Sequence, residues 1–344
     1  MTYIIGEIGQ NHNGSLGMAK AIIDLVGLEV KDEAFGVVLP GLNAVKLTKR
    51  DLSQELTESA MTAQYDSPHS FGRTYGEHRK ALELNDQEHL ELFQYAKSKG
   101  LEFVETLCAP GCISLLKLFT PDYLKVASRD LTNEPLLEVL GETKIPIIVS
   151  TGMAGEFELQ RALEVLNRHH EDISILHCVS EYPTRPENVN LNTLKWLQKK
   201  YPNHVIGYSD HTIGISTPVA AVAMGAQIIE KHITLDRRLK GTDQAGSLGP
   251  DGLRRMVRDI RILEQSLGKE GIFLEEAVKK AKEKLERSLA VKRDMNRGEV
   301  ITVGDLHMLS PGTGLTWNER SEVVGKTLTQ DVGKDELIQK SFLV

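Results

Sequence analysis

Cysteine is scarce in this 344-residue chain, aromatic residues make up only 5%, and no long apolar run interrupts it. Cys108, Cys112 and Cys178 form no Cys-x-x-Cys pair and no even-numbered framework, which excludes a disulfide-stapled scaffold and suggests a reducing compartment. No apolar stretch approaches the ~20 residues needed to cross a bilayer. The N-terminus enters an apolar strand-like run at once, with no signal-peptide pattern ahead of it, so a cytoplasmic location is expected. Positive charge is in the minority, at 41 Lys and Arg against 48 Asp and Glu, for a net charge of -7. With no basic stripe interleaved with aromatics, neither nucleic acid nor a membrane surface is an expected partner. No G-x-G-x-x-G follows the first strand, which disfavours a doubly wound nucleotide-binding sheet.

What is present is a recurring pattern of short apolar runs, each closed by a polar or ionisable residue. The runs are Tyr3–Ile5 before Glu7, Asn43–Val45 before Lys46, Leu101–Val104 before Glu105 and Thr106, and Tyr123–Leu124 before Lys125. Ile145–Val149 before Ser150, Ile173–Leu176 before His177, Val205–Tyr208 before Ser209-Asp210-His211, and Ile228–Ile229 before Glu230-Lys231-His232 complete the series. Segments of helical period such as Asp86–Lys99, Glu156–His169, Leu191–Lys200 and Ser216–Gly225 lie between them, so the alternation predicts parallel βαβ units. A TIM (β/α)8 barrel is the economical closure, and it gathers its chemistry at the C-terminal ends of its strands. Two imidazoles at the ends of the last two strands, His211 and His232, would meet there and could hold a divalent metal. Cys108 falls near the same mouth, but nothing in the sequence pairs it with a base, so a nucleophilic role is not expected.

The texture changes after the helical run Asp251–Leu267. Gly268-Lys269-Glu270-Gly271 breaks that run, and Glu275–Arg287 is highly charged with sparse apolar residues. Beyond it, short apolar pieces alternate with turn signals such as Asn296-Arg297-Gly298 and Pro311-Gly312-Thr313-Gly314. We therefore expect a barrel over 1–268, a linker over 269–287 and a small β-rich module over 288–344 that docks on another surface.

Several segments jointly resemble the sialic acid synthases. They are Ile5-Gly6-Glu7-Ile8-Gly9-Gln10-Asn11-His12-Asn13-Gly14, His69-Ser70-Phe71-Gly72-Arg73-Thr74-Tyr75-Gly76-Glu77-His78-Arg79, Ser150-Thr151-Gly152-Met153, Leu176-His177-Cys178, Gly207-Tyr208-Ser209-Asp210-His211-Thr212 and Glu230-Lys231-His232-Ile233-Thr234-Leu235-Asp236. The C-terminal module is similar to the antifreeze-like (SAF) domain that closes those enzymes. The resemblance implies condensation of phosphoenolpyruvate with the open-chain aldehyde of an N-acylated or plain hexose to a 2-keto-3-deoxy acid, with release of phosphate. It also implies a homodimer in which each small domain caps the partner's barrel.

By that resemblance Lys46, Thr106, Lys125, Ser128 and Ser150 match positions that bind phosphoenolpyruvate, and Ser180 stands where some members have Asn. A doubly anionic ligand needs such cations and hydroxyl donors. His211 and His232 would hold Mn²⁺ or Mg²⁺ as a Lewis acid for the aldehyde, since two nitrogens leave positions for water and substrate. Glu7 is the expected proton-transfer group. Asp243, Tyr182 and Asp130 are expected at the acceptor, and Arg73 with Arg79, read as a loop over the mouth, would clamp an acceptor phosphate.

Departures from the family pattern bear on the acceptor: Thr48 stands for Gln, Leu107-Cys108 for Pro-Phe, Ala127-Ser128-Arg129 for Gly-Ser-Gly, and Ser310 for an Arg before Pro-Gly. Mannose, N-acetylmannosamine, their 6-phosphates and the diacetamido precursors of legionaminic or pseudaminic acid all stay open. A pyruvate aldolase using a Schiff base at Lys46 or Lys125 is the alternative. A non-catalytic ice-binding role would leave the polar strand ends without a purpose. The sequence gives no account of the long stretch between Val26 and Asn43.

Overall fold

The structure is a computed structural model that describes residues 1–27 and 29–344. The chain divides into two compact units, Met1–Gly268 and Lys269–Val344.

The first unit is a closed barrel of parallel strands: β1 (Tyr3–Glu7), β4 (Ala44–Lys49), β5 (Glu102–Leu107), β6 (Tyr123–Val126), β7 (Ile147–Ser150), β8 (Ile173–Cys178), β9 (Val205–Asp210) and β10 (Ile228–His232). Each strand pairs with the next, and β10 closes onto β1 with Glu7 opposite His232. All the apolar runs singled out in the sequence are strands of this barrel. Alternation of side chains along a strand sorts them by face. One set packs outward against the helices, including Ile4, Val45, Phe103, Leu124 and Ile229. The other fills the barrel with Ile5, Ala44, Val104, Ile148, Leu176 and Ile228. Gly207 belongs to that inner layer because a Cβ there would stand 2.5 Å from Leu176 and 2.6 Å from the Ile228 carbonyl. Two residues further along, the inner positions become polar, and that step builds the site.

The helix Asp86–Ser98 shows how local signals set the outer layer. Asn85 accepts a hydrogen bond from the Glu88 amide while the Glu88 carboxylate accepts from the Asn85 amide, so the first turn starts with its donors satisfied. Leu92 and Ala96 face the core, and Gly100 at φ +75° ends the element. Full burial of one leucine of this kind stabilises by about 1.5–3 kcal/mol.

The stretch between Val26 and Asn43 contains a two-stranded antiparallel hairpin, β2 (Val30–Asp32) and β3 (Val37–Leu39), outside the barrel sheet. Val30 and Leu39 are buried, whereas Phe35, Val37 and Val38 are exposed. Arg261, 2% exposed, ties the hairpin's exit to the barrel by donating to the carbonyls of Thr2, Pro40 and Gly41.

The second unit holds an antiparallel pair, β11 (Ser288–Val291) and β12 (Leu306–Leu309), and a separate apolar core that includes Leu289, Val291, Ile301, Val323 and Ile338. The charged stretch expected as a linker groups with this unit and carries a short helix, Lys279–Leu285. Ser310 Oγ donates to the Leu285 carbonyl and the Gly312 amide to that of Glu283. Among the described residues no helix is long and apolar enough to cross a membrane.

Candidate active site

The polar layer opens into a cavity of about 250 Å³ at the C-terminal ends of the strands. Its floor is a network of buried ions. Lys46 Nζ lies 2.7 Å from Glu7 Oε2, 3.7 Å from Glu230 Oε2 and 3.4 Å from Thr106 Oγ1. Lys125 Nζ donates to Ser150 Oγ at 2.6 Å and to the Val126 carbonyl at 3.0 Å. Glu230 in turn accepts from Ser209 Oγ at 2.9 Å. Strand register explains the convergence: Glu7 stands opposite Lys46, Thr106 opposite Lys125 and Glu230 opposite Ser209.

The two carboxylates are pushed in opposite directions. Burial raises Glu7 above its ordinary range, and Lys46 and His232 only partly offset that. Burial also acts on Glu230, but there Lys125 and Lys46 outweigh it and bring the carboxyl down to about 2. Glu230 is thus a fixed anion, while burial favours the neutral form of Glu7. A pair of acids separated by environment in this way divides into a proton carrier and an electrostatic anchor. The lysines separate as well. Burial and the repulsion of Lys46 lower Lys125 despite Glu230, whereas the carboxylates of Glu230 and Glu7 outweigh burial at Lys46 and raise it.

Ser128, Ser180 and Cys178 meet around Gly152. Its amide donates to Ser128 Oγ at 2.9 Å, and a Cβ there would stand 2.4 Å from Ser180 Oγ and 2.8 Å from both Ser128 Oγ and Cys178 Sγ. Only glycine lets these side chains share one corner. Cys108 also lines the cavity, but burial pushes its thiol up to about 11, which fits the expectation that it is no nucleophile.

His211 and His232 face each other with ring centroids 5.5 Å apart. His211 Nδ1 lies 3.0 Å from the Val179 carbonyl, a contact that requires hydrogen on that nitrogen and leaves a lone pair on Nε2. Burial, then repulsion from His232, lower His211 to about 4, so the ring is neutral. His232 Nδ1 is buried without a hydrogen-bond partner. No three His, Cys, Asp or Glu side chains among the described residues form a metal-holding group. An ion held here would take two imidazole nitrogens from the chain and complete its shell with water and substrate. Outside the barrel wall, the neighbours of these histidines, Asp210 and Lys231, are paired with each other and fully buried. Tyr182 packs on His211 at 4.1 Å, and a side recess of about 80 Å³ links it to Asp243.

Of the residues expected from the sequence, Glu7, Lys46, Thr106, Lys125, Ser128, Ser150, Ser180, Tyr182, His211, His232, Asp243 and Arg79 all line the one cavity. Asp130 does not. It lines a neighbouring recess and is paired with Arg129 at 3.2 Å. Arg73 is exposed and away from the cavity, so it forms no clamp with Arg79. The reason is local: Thr74 and Glu77 make a capping box that starts a helix, Tyr75–Ala81, where a loop was expected, and the helix carries Arg79 inward without Arg73. Sequence reading passed over Glu230, Ser209 and Arg50, all of which line the cavity. Alternation was the available signal, since residues 230 and 232, and 46, 48 and 50, share a face.

A family model described as the NeuB family matches residues 37–271, and a SAF-domain model matches residues 286–344. The chain is 33% identical to the human N-acetylneuraminate-9-phosphate synthase, over 99% of this chain and 92% of that protein. It is 34% identical to the N,N'-diacetyllegionaminic acid synthase of Legionella pneumophila, over 96% of this chain and 91% of that protein. A crystal structure of the N-acetylneuraminic acid synthetase from Leptospira borgpetersenii, in complex with citrate, superposes with a TM-score of 0.67 at 30% identity, covering 81% of this chain and 90% of that one. An ion-lined barrel mouth, a matching family model over most of its length and relatives aligned end to end place this chain in the NeuB family, with a C-terminal SAF domain.

Proposed function

We propose that the protein is a nonulosonic acid synthase, which condenses phosphoenolpyruvate with the open-chain aldehyde of a mannose-type hexose, acylated or not, or of its 6-phosphate. The observation that carries this reading is the pair of buried ammonium groups, Lys46 and Lys125, set among Thr106, Ser128, Ser150 and Ser180. Desolvated cations and aligned hydroxyls are what a compact phosphate and carboxylate need.

The enol carbon attacks the aldehyde carbon, the aldehyde oxygen takes a proton, water adds to the cationic carbon left behind and gives up one proton, and phosphate departs with the C–O bonding pair and the second proton as the remaining hydroxyl becomes the keto group. Glu7 is placed to give the first proton and to recover one from the adding water, because it lines the cavity beside Lys46 and burial shifts its carboxyl toward the protonated form. Glu230 keeps the lysines charged and oriented, and its own anion opposes the positive charge that develops next to the enol. His211 and His232 fit a divalent ion such as Mn²⁺ or Mg²⁺, which when bound supplies Lewis-acid polarisation of the acceptor carbonyl. Asp243 and Tyr182 border the same recess and would position acceptor hydroxyls.

Phosphate release from phosphoenolpyruvate, screened against mannose, N-acetylmannosamine, their 6-phosphates and diacetamido hexoses, tests the reading; no release with any of them sinks it. EDTA is expected to abolish turnover and Mn²⁺ to restore it, and a chelated enzyme at full rate would remove the metal from the proposal. One observation favours a second reading. Burial lowers Lys125, as a Schiff-base lysine requires. Borohydride inactivation in the presence of pyruvate would select that aldolase chemistry instead.

A further inference from the structure

Two strands of the barrel repeat one arrangement. On β4, Lys46 is followed four residues later by Arg50, and from β6 Lys125 is followed four residues later by Arg129. Lys46, Thr48 and Arg50 line the cavity by alternation along β4, and Lys125, Ala127, Ser128 and Arg129 line it from the end of β6. At about 3.3 Å per extended residue, Arg50 stands up to roughly 13 Å above Lys46, while Arg129 follows the end of β6 on a short 3-10 turn, Ser128–Asp130. The cavity therefore has two cationic tiers, a deep one of ammonium groups and an upper one of guanidiniums.

The upper tier borders a second recess of about 270 Å³ that opens beside the cavity and shares Arg79, Arg129 and Cys108 with it. The recess sets Arg79 and Arg129 against Glu55 and Asp130, and Arg50 adds a third guanidinium from the cavity. Glu55 serves two arginines at once, at 3.2 Å from Arg50 and 3.0 Å from Arg129, and Asp130 lies 3.2 Å from Arg129. Arg79 has no carboxylate within 4 Å among the described residues and rests on the Tyr75 ring at 5.3 Å. Arg50 is nine-tenths buried, yet its Nε has no hydrogen-bond partner; Glu83 approaches it only to 3.5 Å, and burial holds that carboxyl toward its neutral form. Burial and the neighbouring Arg50 charge act against the ionised form of Arg79. Guanidiniums crowded at the edge of a concave site, with Arg50 and Arg79 under-paired, are relieved by a ligand oxyanion with bidentate acceptor geometry.

We propose that Arg50, Arg79 and Arg129 form a subsite for an anionic group at the end of the acceptor remote from its aldehyde, so that the enzyme selects acceptors bearing a terminal phosphate or carboxylate. The proposal rests on the synthase reading above and sharpens its acceptor. The deep tier holds phosphoenolpyruvate, and an open-chain hexose anchored by its far end in the upper tier directs its aldehyde downward to the enol. Arg50 and Arg129 are then specificity-determining residues.

The test uses the full chain, with kcat/KM measured by phosphate release for a neutral hexose, its 6-phosphate and the corresponding hexuronate. The anionic acceptors should exceed the neutral one by on the order of 100-fold, and Arg129→Ala and Arg50→Gln should each cut that ratio by tenfold or more. Arg129→Lys should retain part of it, which separates charge recognition from simple loss of structure. Preference for the 6-phosphate over the hexuronate identifies the anion as phosphate, and the reverse identifies it as carboxylate. Equal or better use of the neutral hexose overturns the subsite while leaving the synthase reading intact. A rise confined to the KM for phosphoenolpyruvate overturns it too, by reassigning the arginines to that ligand. No phosphate release with any acceptor removes both readings together.

Discussion

The two units bury different kinds of atoms. Inside the barrel unit lie Glu7, Lys46, Glu105, Lys125, Asp210, Glu230, Lys231 and Arg261, all with almost no exposure. In the unit from Lys269 onward, Ser288 is the single polar residue among those buried, and the ion pairs, such as Arg293 with Glu299 and Asp305, lie at the surface. Taking a charge out of water costs several kcal/mol even when it is paired, whereas surface pairs contribute about 0–1 kcal/mol. A fold carries that cost where oriented charge does something water cannot. The difference therefore assigns the bond-making chemistry to the barrel and leaves the second unit a role of shape.

Three measurements can break or sharpen that contrast. The largest effect is expected from the deep lysines. Lys46→Ala or Lys125→Ala should lower kcat/KM by about 10³-fold or more, since each removes a desolvated cation aimed at the ligand and strands a partner. A variant of either that retained a tenth of wild-type activity would show that the buried ions are structural. Next, a chain ending before Ser288 should keep a folded barrel, which has its own core, but should use the acceptor about tenfold or more less efficiently if the SAF domain caps a barrel mouth in a homodimer. Wild-type kinetics from the shortened chain would end that role.

The smallest effect is in the response to acid. Burial lowers both His12 and His211 to about 4, so between pH 6.5 and 4 the unfolded barrel binds protons that the folded barrel refuses. Stability from these groups is complete above pH 6.5 and falls as pH drops toward 4. In the second unit the shifted carboxylates, Glu299, Asp305 and Glu319, are lowered chiefly by hydrogen bonds and lose their contribution only below the ordinary carboxylate range. Each unit has one tryptophan, Trp196 or Trp317, so thermal melts of Trp196→Phe and Trp317→Phe read the units separately. The melting temperature reported by Trp196 should fall by a few degrees between pH 7 and pH 5, and that reported by Trp317 should hold.

The barrel was legible because short, near-continuous apolar runs closed by polar residues are a direct image of parallel strands buried on both faces. Glu7, Lys46, Lys125 and the two histidines could be found as the residues that end those runs. Glu230 opens the polar triplet Glu230-Lys231-His232, where attention to the imidazole as a metal ligand skips the inner residue two places earlier. Arg50 lies just past the end of β4, and only the continued alternation reveals its face. The hairpin at 30–39 was missed because three-residue strands fall below any periodicity signal, and the helix at 75–81 because Gly76 and a charged surface obscure its pattern. In both, turn and cap chemistry was the stronger local signal.

The Asp210–Lys231 pair behind the histidines has a bearing on how variants of this protein should be interpreted. It crosses from β9 to β10 on the outer face of the wall, where Lys231 also donates to the Thr212 carbonyl and Tyr208 to Asp210. It thus sets the spacing of two imidazoles that it never touches. Removing one partner leaves a stranded interior charge, a loss of about 3–5 kcal/mol that is large against the stability of most domains. Asp210→Asn or Lys231→Met should therefore appear first as less soluble protein per cell, with turnover per folded molecule changed far less. A survey scoring only total activity would count both positions as catalytic, and normalising to folded protein would show that they act through abundance.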